Sequence, residues 1–272
     1  MTSTDTTAYT PGSLAAHRRR PAWPVTNAVL IGRSLRHSLR NVDALLMAIL
    51  LPVILMLMFT YVFGGAISPN GGYVDYVVPG IILTCAGFGA SSAAVDTATD
   101  LANGIIDRFR TLPIRSSAVL TGHTVASLVR NLVATAVVIM VALLVGFRPS
   151  AGPLEWLGAA GIVALYILAI TTLFTAIGVV ASSPQAASGY GFVLLFLPYL
   201  SSAFVPVDTM PAWLQPLAEY QPITAVNETI RALLMDTEME PYGAAAVVWC
   251  LGIATVGAAW GAWAFRRRAG RR

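Results

Sequence analysis

The sequence predicts an all-α membrane protein with six transmembrane helices, an N-terminal interfacial helix, a short helix in a cytosolic loop and short external re-entrant helices. The first observation is composition: 56% of the 272 residues are hydrophobic and 11% are charged, whereas soluble domains carry about 25% charged residues. The second is that the hydrophobic residues fall into six long runs separated by polar connections. The third is that the arginines gather near the ends of these runs. These observations place the chain among polytopic membrane proteins.

The residues before the first hydrophobic run divide into two parts. Residues 1–22 are rich in Ser and Thr and lack the apolar core of a signal peptide, so they are predicted to form a disordered cytosolic tail. Residues 23–272 are predicted to form the transmembrane domain. Its first segment, 23–41, combines an apolar stripe with basic residues, which is typical of a helix lying in the membrane interface near anionic lipid. An ordinary basic flank to the first span is the alternative. The basic residues of the interfacial helix are Arg33, Arg36 and Arg40.

Each hydrophobic run has the length of about 20 residues that a helix needs to cross a bilayer. Pro52 lies inside the first run and is expected to kink it. The fourth run is longer than a bilayer requires, so this helix is expected to tilt or to protrude. The predicted spans are 44–63, 76–95, 118–146, 154–181, 187–205 and 242–265.

The depth of Arg130 is the ambiguous point of the third span. If the helix enters lipid near residue 128, Arg130 lies at the cytosolic edge and snorkels to the interface, which is the favoured interpretation. A deeper position would make Arg130 a functional charge in the bundle interior. No span carries a recognisable charge pair, so an ion-coupled site is not supported.

The distribution of arginines predicts the orientation of the spans. Six arginines precede the first span, three lie in the 96–116 connection and five follow the last span. The opposite side carries only Arg148 and Arg231. Both termini and the 96–116 connection are therefore expected in the cytosol, with the protein in the cell membrane and the 207–240 connection outside.

The external 207–240 connection contains six acidic residues against one arginine, which fits its placement. Pro211 and Pro222 each suit the first turn of a helix, and apolar residues follow both at helical spacing. Two short helices that dip into the outer membrane surface are predicted; surface helices covering the bundle are the alternative. Asn227 begins a glycosylation triplet, a motif short enough to occur often by chance. The candidate residues of this segment are Pro211, Trp213, Pro222, Glu228 and Arg231.

Residue content excludes several kinds of chemistry. All 17 basic residues are arginines, so the phosphate loop of ATPases and Schiff-base catalysis, which need lysine, are excluded. Cys85 and Cys250 lie at unrelated positions in predicted spans and are interpreted as small buried residues. No catalytic or metal site is predicted, and confinement of the arginines to particular loops argues against nucleic-acid binding. A membrane chain without an energy site needs a partner that supplies energy.

The 96–116 connection is the charge-dense stretch in the middle of the chain. A helix is predicted over 99–112 because its apolar and polar residues occupy opposite arcs, and Pro113 ends it. Such a helix can lie flat on the membrane or dock on a partner; a solvated helix that carries only topology signals is the alternative. The apolar arc includes Leu101, Ile105, Phe109 and Leu112, and the polar residues include Asp107, Arg108 and Arg110.

Three stretches resemble the membrane subunits of ABC-2 type transporters, in the daunorubicin-exporter-like, drug-resistance branch. The first opens the first span and contains LPVILMLMFTYVFGG. The second, at 102–123, reads ANGIIDRFRTLPIRSSAVLTGH and is the most specific. The third, at 204–234, reads FVPVDTMPAWLQPLAEYQPITAVNETIRALL. Together they follow the family order along the chain.

In that family the second stretch contains the coupling helix that docks on the ATPase subunit, and the third resembles the external re-entrant helices. The resemblance implies an exporter of hydrophobic or amphipathic molecules (drug, lipid or glycoconjugate) built from two permeases, identical or paralogous, and two ATPases that bind ATP and Mg. This chain would then be no enzyme and need no cofactor. A stand-alone secondary transporter and a membrane-embedded lipid-modifying enzyme are the alternatives. The residues matching the coupling helix are Asn103, Gly104, Asp107, Arg108, Arg110, Leu112 and Pro113.

Overall fold

The computed structural model describes residues 42–68, 71–103, 117–237 and 241–270. Every regular element in these ranges is helical. The predicted tail and the predicted interfacial helix with Arg33, Arg36 and Arg40 lie outside the described residues. The α-helices of the described chain are α1 (Val42–Met58), α2 (Gly64–Ile67), α3 (Tyr73–Ala102), α4 (Ser117–Val145), α5 (Pro153–Val180), α6 (Pro184–Leu194), α7 (Gln215–Tyr220), α8 (Pro222–Met235) and α9 (Tyr242–Gly270).

Five helical segments among the described residues are long and apolar enough to cross a membrane, which confirms an all-helical, multi-pass protein. The predicted span 187–205 is not one continuous helix: it consists of α6, a 3-10 turn at Leu197–Leu200 and non-helical backbone from 201 to 206. Pro198 contributes to this break because it has no N–H to donate to the preceding turn. The five segments are Ala48–Ile67, Tyr73–Ala102, Thr124–Val145, Pro153–Val180 and Tyr242–Arg268.

The first crossing segment ends later than predicted. After α1 the chain forms a π-helical turn (Phe59–Phe63) and continues through α2, so the connection expected from residue 64 begins as helix. Gly71 and Gly72 then adopt φ angles of +83° and +79°, in the left-handed region that glycine enters at low cost. This turn directs the chain into α3.

Helix α3 is the central element of the bundle. It packs against α1, α4, α5, α6 and α8, and its residues are buried without interruption from Val77 to Gly87. This stretch is apolar on all sides apart from Thr84, whose hydroxyl donates to the Gly80 carbonyl within the helix. A helix that is apolar all round is stable only when surrounded by other helices, so its sequence and its central position agree.

Helix α9 packs mainly against α5. A Cβ atom at Gly257 would lie 2.8 Å from the Leu173 nitrogen, so glycine permits this close approach. Where α9 finishes, Arg268 donates to the carbonyls of Val179 and Ala181 at 2.7 and 3.0 Å. A cation at these terminal carbonyls interacts favourably with the negative end of the α5 helix dipole. We call this side of the bundle the C-terminal end, and the side that carries α7 and α8 the loop end.

Helices α7 and α8 form most of the 207–240 connection. Helix α8 begins at Pro222 as predicted, whereas α7 begins at Gln215 rather than Pro211, with Pro216 in its first turn. Pro211 instead accepts the hydrogen bond of a turn from the Leu214 N–H, at 2.8 Å. The apolar face of α8 is buried against α9, α5 and α3. Trp213, by contrast, is 78% exposed.

Candidate functional site: two polar clusters inside the bundle

A partly buried ion pair joins α3 to α4. Arg130 Nη1 lies 3.3 Å from Asp96 Oδ2, and Arg130 Nη2 donates to the Gly89 carbonyl at 3.3 Å. The Arg130 side chain is 4% exposed, against 43% for Asp96. The expectation that no span carries a charge pair is therefore wrong, and the depth of Arg130 in the membrane stays a prediction. The reason is that α3 continues past residue 95 and α4 begins well before Arg130, so both charges lie on packed helices.

Asn131 lies beside this ion pair and brings α3 and α4 close together. Its Nδ2 donates to the Ala86 carbonyl at 3.2 Å. A Cβ atom at Gly89 would lie 1.4 Å from Asn131 Oδ1, so any side chain there would displace the amide. Within the described residues, Asn131 Oδ1 and Ser127 Oγ are buried and have no hydrogen-bond partner. We call Asp96, Ser127, Arg130 and Asn131 the inner polar cluster.

A second cluster lies at the loop end and is centred on Arg231. Arg231 Nη2 donates to the carbonyls of Tyr76 and Ser202, both at 3.0 Å. Arg231 Nη1 donates to the Glu228 carboxylate. The guanidinium lies 3.8 Å from the centre of the Tyr76 ring, a cation–π contact. One side chain thus holds α8, α3 and the 201–206 segment together.

Residues 201–204 of the 201–206 segment are buried although they are not helical, so their backbone polar groups need partners. The Ser202 carbonyl accepts from the Tyr76 hydroxyl at 2.8 Å and from Asn227 Nδ2 at 3.4 Å, in addition to Arg231. The Phe204 carbonyl accepts from the Tyr73 hydroxyl at 2.7 Å. We call Tyr73, Tyr76, Ser202, Asn227, Glu228 and Arg231 the outer polar cluster.

Aromatic rings extend this arrangement to the first crossing segment. The Phe204 ring lies 4.6 Å from that of Phe59 and is stacked on that of Tyr199 at 4.8 Å. Phe59 opens the π-helical turn, and turns of this kind occur often at functional sites. The non-helical backbone after α6 is therefore packed between the π-helical turn, α3 and α8.

The predicted coupling residues are only partly described. Residues 99–102 form the last turn of α3, so the helix predicted over 99–112 does not begin at residue 99. Nothing between residues 96 and 102 breaks a helix. Leu101 packs on Val179, Ala264 and Phe265 at the C-terminal end. Asn103 is exposed; Gly104, Ile105, Asp107, Arg108, Phe109, Arg110, Leu112 and Pro113 lie outside the described residues.

Residues 27–235 match the family described as ABC-2 type transporter. The chain belongs to the ABC-2 type transporter family. It is a membrane-spanning permease subunit of an ABC exporter. The ion pair between α3 and α4 removes one sequence-based reason against a secondary transporter, but family membership decides between the alternatives.

Two named relatives belong to drug-resistance systems. The permease is 34% identical over 191 residues to the daunorubicin resistance ABC transporter permease protein DrrB1 of Streptomyces coeruleorubidus, covering 70% of this chain and 68% of the relative. It is 25% identical over 212 residues to the probable doxorubicin resistance ABC transporter permease protein DrrC of Mycobacterium tuberculosis, covering 77% and 76%. These matches support the resemblance found in the sequence.

Sequence reasoning named Glu228 and Arg231 in this permease but did not pair them, and it missed Asp96 as the partner of Arg130. The i, i+3 spacing of Glu228 and Arg231 was an available signal, because such residues lie on one helix face. Asn227 was noted only as a glycosylation acceptor, yet it is fully buried. Tyr76 and Ser202 gave no signal in the sequence, because their role depends on a helix that is interrupted within an apolar run.

Proposed function

We propose that this permease exports hydrophobic or amphipathic drug-like molecules, together with a second permease and two ATPase subunits that bind ATP and Mg. The observation that carries the proposal is the family match over residues 27–235, which includes the 96–116 connection. The drug-resistance names of the two relatives support the cargo class. The absence of lysine supports ATP hydrolysis in a separate chain, because the ATPase phosphate loop requires it.

We also propose a sixth crossing and an orientation in the cell membrane. Helix α6, the 3-10 turn and the 201–206 segment would cross together, which is acceptable in a membrane because side chains of α3 and α8 satisfy the non-helical backbone. Helices α7 and α8 would then form the external re-entrant segment with Pro211, Trp213, Pro222, Glu228 and Arg231. Both termini would be cytosolic, as the arginine distribution indicates.

Cysteine labelling in intact cells tests this orientation. A cysteine introduced at Thr237, which is exposed at the loop end, is expected to react with a membrane-impermeant thiol reagent. Cysteines at Ser3 and Gly270 are expected to react only after the cells are permeabilised. The native Cys85 and Cys250 are buried, so the unmodified permease provides the background control. Labelling of Gly270→Cys from outside would refute the six-crossing arrangement.

Coupling to the ATPases is proposed to pass through residues 104–113, the first part of the 104–116 connection. This connection joins α3 to α4, and the inner polar cluster links the same two helices inside the bundle. Leu101, just before the stretch, packs against the ends of α5 and α9. A push on this connection would therefore act on four packed helices.

Two variants test the coupling proposal in the complete transporter. Phe109→Ala is expected to weaken docking of the ATPase by about 3–5 kcal/mol if the ring is fully buried at the interface, by analogy with core truncation. Arg108→Glu is expected to cost a few kcal/mol because it repels an acidic contact or leaves a desolvated charge unpaired. The measurements are co-purification of the ATPase and drug export, at matched membrane levels.

Arg115→Glu is the matched control, since it makes the same charge change in the same connection outside the proposed coupling residues. It is expected to preserve both readouts. If Phe109→Ala and Arg108→Glu also preserve them at normal expression, the connection carries only topology signals and the coupling proposal is wrong.

A further inference from the structure

An apolar cavity of about 220 Å³ lies between α3, α4, α5 and α8. Part of its lining is buried and forms a floor; the rest is exposed on α4 and α5 and forms a rim. The mouth therefore opens between α4 and α5 on the surface of the bundle. Among the lining residues, Ile82, Val163, Ile230 and Leu234 belong to the floor, and Leu132, Ala136 and Ala160 belong to the rim.

The surface around the mouth is apolar as well. Met140 and Leu144 on α4 are 58% and 83% exposed, and Leu154 and Leu157 on α5 are 81% and 71% exposed. Both helices contain segments long and apolar enough to cross a membrane. Large apolar side chains exposed on spanning helices face hydrocarbon rather than water. The molecules at highest concentration at this mouth are thus lipid acyl chains.

The lining selects an apolar occupant of limited size. A buried water needs two to four polar partners, and among the described lining residues only Thr135 and Trp156 carry polar side-chain atoms. A dry apolar cavity of roughly 150 Å³ suffices to bind benzene, so this cavity accommodates a segment of an alkyl chain. Sites for drug-sized ligands occupy about 300–1,000 Å³, which separates this cavity from a site for the whole cargo.

We propose that the cavity binds one acyl chain of a bilayer lipid, inserted between α4 and α5. The chain fills a space that would otherwise cost stability as a void. At the floor it contacts Ile230 and Leu234 of α8, the helix that also carries Arg231. Lipid occupancy thereby supports the position of α8. This proposal requires only that α4 and α5 cross the membrane, and not the proposed cargo or partners.

Photolabelling tests the proposal with the full-length permease in phosphatidylcholine vesicles. A fraction of the lipid carries a diazirine at the middle of one acyl chain, and labelled positions are mapped by peptide mass spectrometry after irradiation. Bulk lipid reaches exposed residues such as Leu144 and Leu154. Only a chain inside the cavity reaches Ile82, Val163 and Ile230, which are at most 5% exposed. Labels at these floor residues are the expected result.

Substitutions that block the mouth of the cavity distinguish a bound acyl chain from bulk lipid. Ala160→Phe places a ring at the rim and is expected to lose the floor labels while Leu144 and Leu154 stay labelled; Ala136→Phe does the same from α4. Both positions are exposed, so the fold accommodates the larger side chain. Leu157→Phe, on the neighbouring exposed surface of α5 and outside the lining, is the matched control and keeps both sets of labels.

Three kinds of outcome would overturn the proposal. The first is a labelling pattern that does not depend on the cavity mouth, either labels on the surface without the floor or floor labels that persist in both Ala160→Phe and Ala136→Phe. Another is floor labelling by a free diazirine fatty acid but not by the phosphatidylcholine, which would assign the cavity to a free amphiphile. The third is an unlabelled rim together with a disulfide between two copies of Ala160→Cys, which would show that a second permease covers the mouth.

Discussion

Arg231→Met is expected to destabilise the permease by about 3–5 kcal/mol, because removing one partner of a buried pair leaves the other uncompensated. Arg231 and Glu228 have side chains only 13% and 22% exposed. The substitution also deprives the Tyr76 and Ser202 carbonyls of the Nη2 donor. For a chain of this size the loss corresponds to a fall in Tm on the order of 10 °C. Thermal unfolding of the detergent-purified permease measures it.

Two further variants separate the parts of the Arg231 contact. Arg231→Lys keeps the charge but lacks the planar fork that bonds two carbonyls and a carboxylate at once, so its Tm is expected between those of the wild type and Arg231→Met. Glu228→Gln leaves both carbonyl bonds in place and is expected to cost less than Arg231→Met. A Tm for Arg231→Met equal to that of the wild type would show that the outer polar cluster does not hold α8.

The second large effect is expected at the inner ion pair, where the two partners are unequal. Asp96→Asn removes the carboxylate from an Arg130 guanidinium that is 4% exposed, at a cost of about 1–3 kcal/mol. Arg130→Met leaves a carboxylate that is 43% exposed and lies about 9 Å from the end of α3. That carboxylate retains a route to water, so Arg130→Met is expected to cost less than Asp96→Asn.

The double variant Asp96→Asn, Arg130→Met completes the cycle. Because it removes the buried charge altogether, its Tm is expected to lie above that of Asp96→Asn alone. Drug export, measured in parallel, reports whether the pair also transmits motion between α3 and α4: a double variant with restored Tm and impaired export would support that role. Additive losses of Tm in the double variant would contradict the coupling of the two side chains.

Much of the fold followed from local patterns. Five of the six apolar runs correspond to crossing segments, because run length and hydropathy are properties of the chain itself. Pro222 marked the start of α8 for an equally local reason, since proline suits the first turn of a helix. The end of α3 was placed too early, because the polar residues after 95 resemble a loop in composition although none of them breaks a helix.

By itself the sequence determined a helical, multi-pass membrane protein without a lysine-dependent energy site, and a resemblance to the ABC-2 family. These properties depend on composition and on residues close together in the chain. Only the tertiary structure decided that Arg130 is buried against Asp96, that the helix is interrupted after α6, and that Arg231 joins Tyr76 to Ser202. Each of these contacts links residues at least 29 positions apart. The physical reason is that a buried charge or a non-helical backbone is stable only with partners from other helices, and hydropathy carries no information about which helices meet.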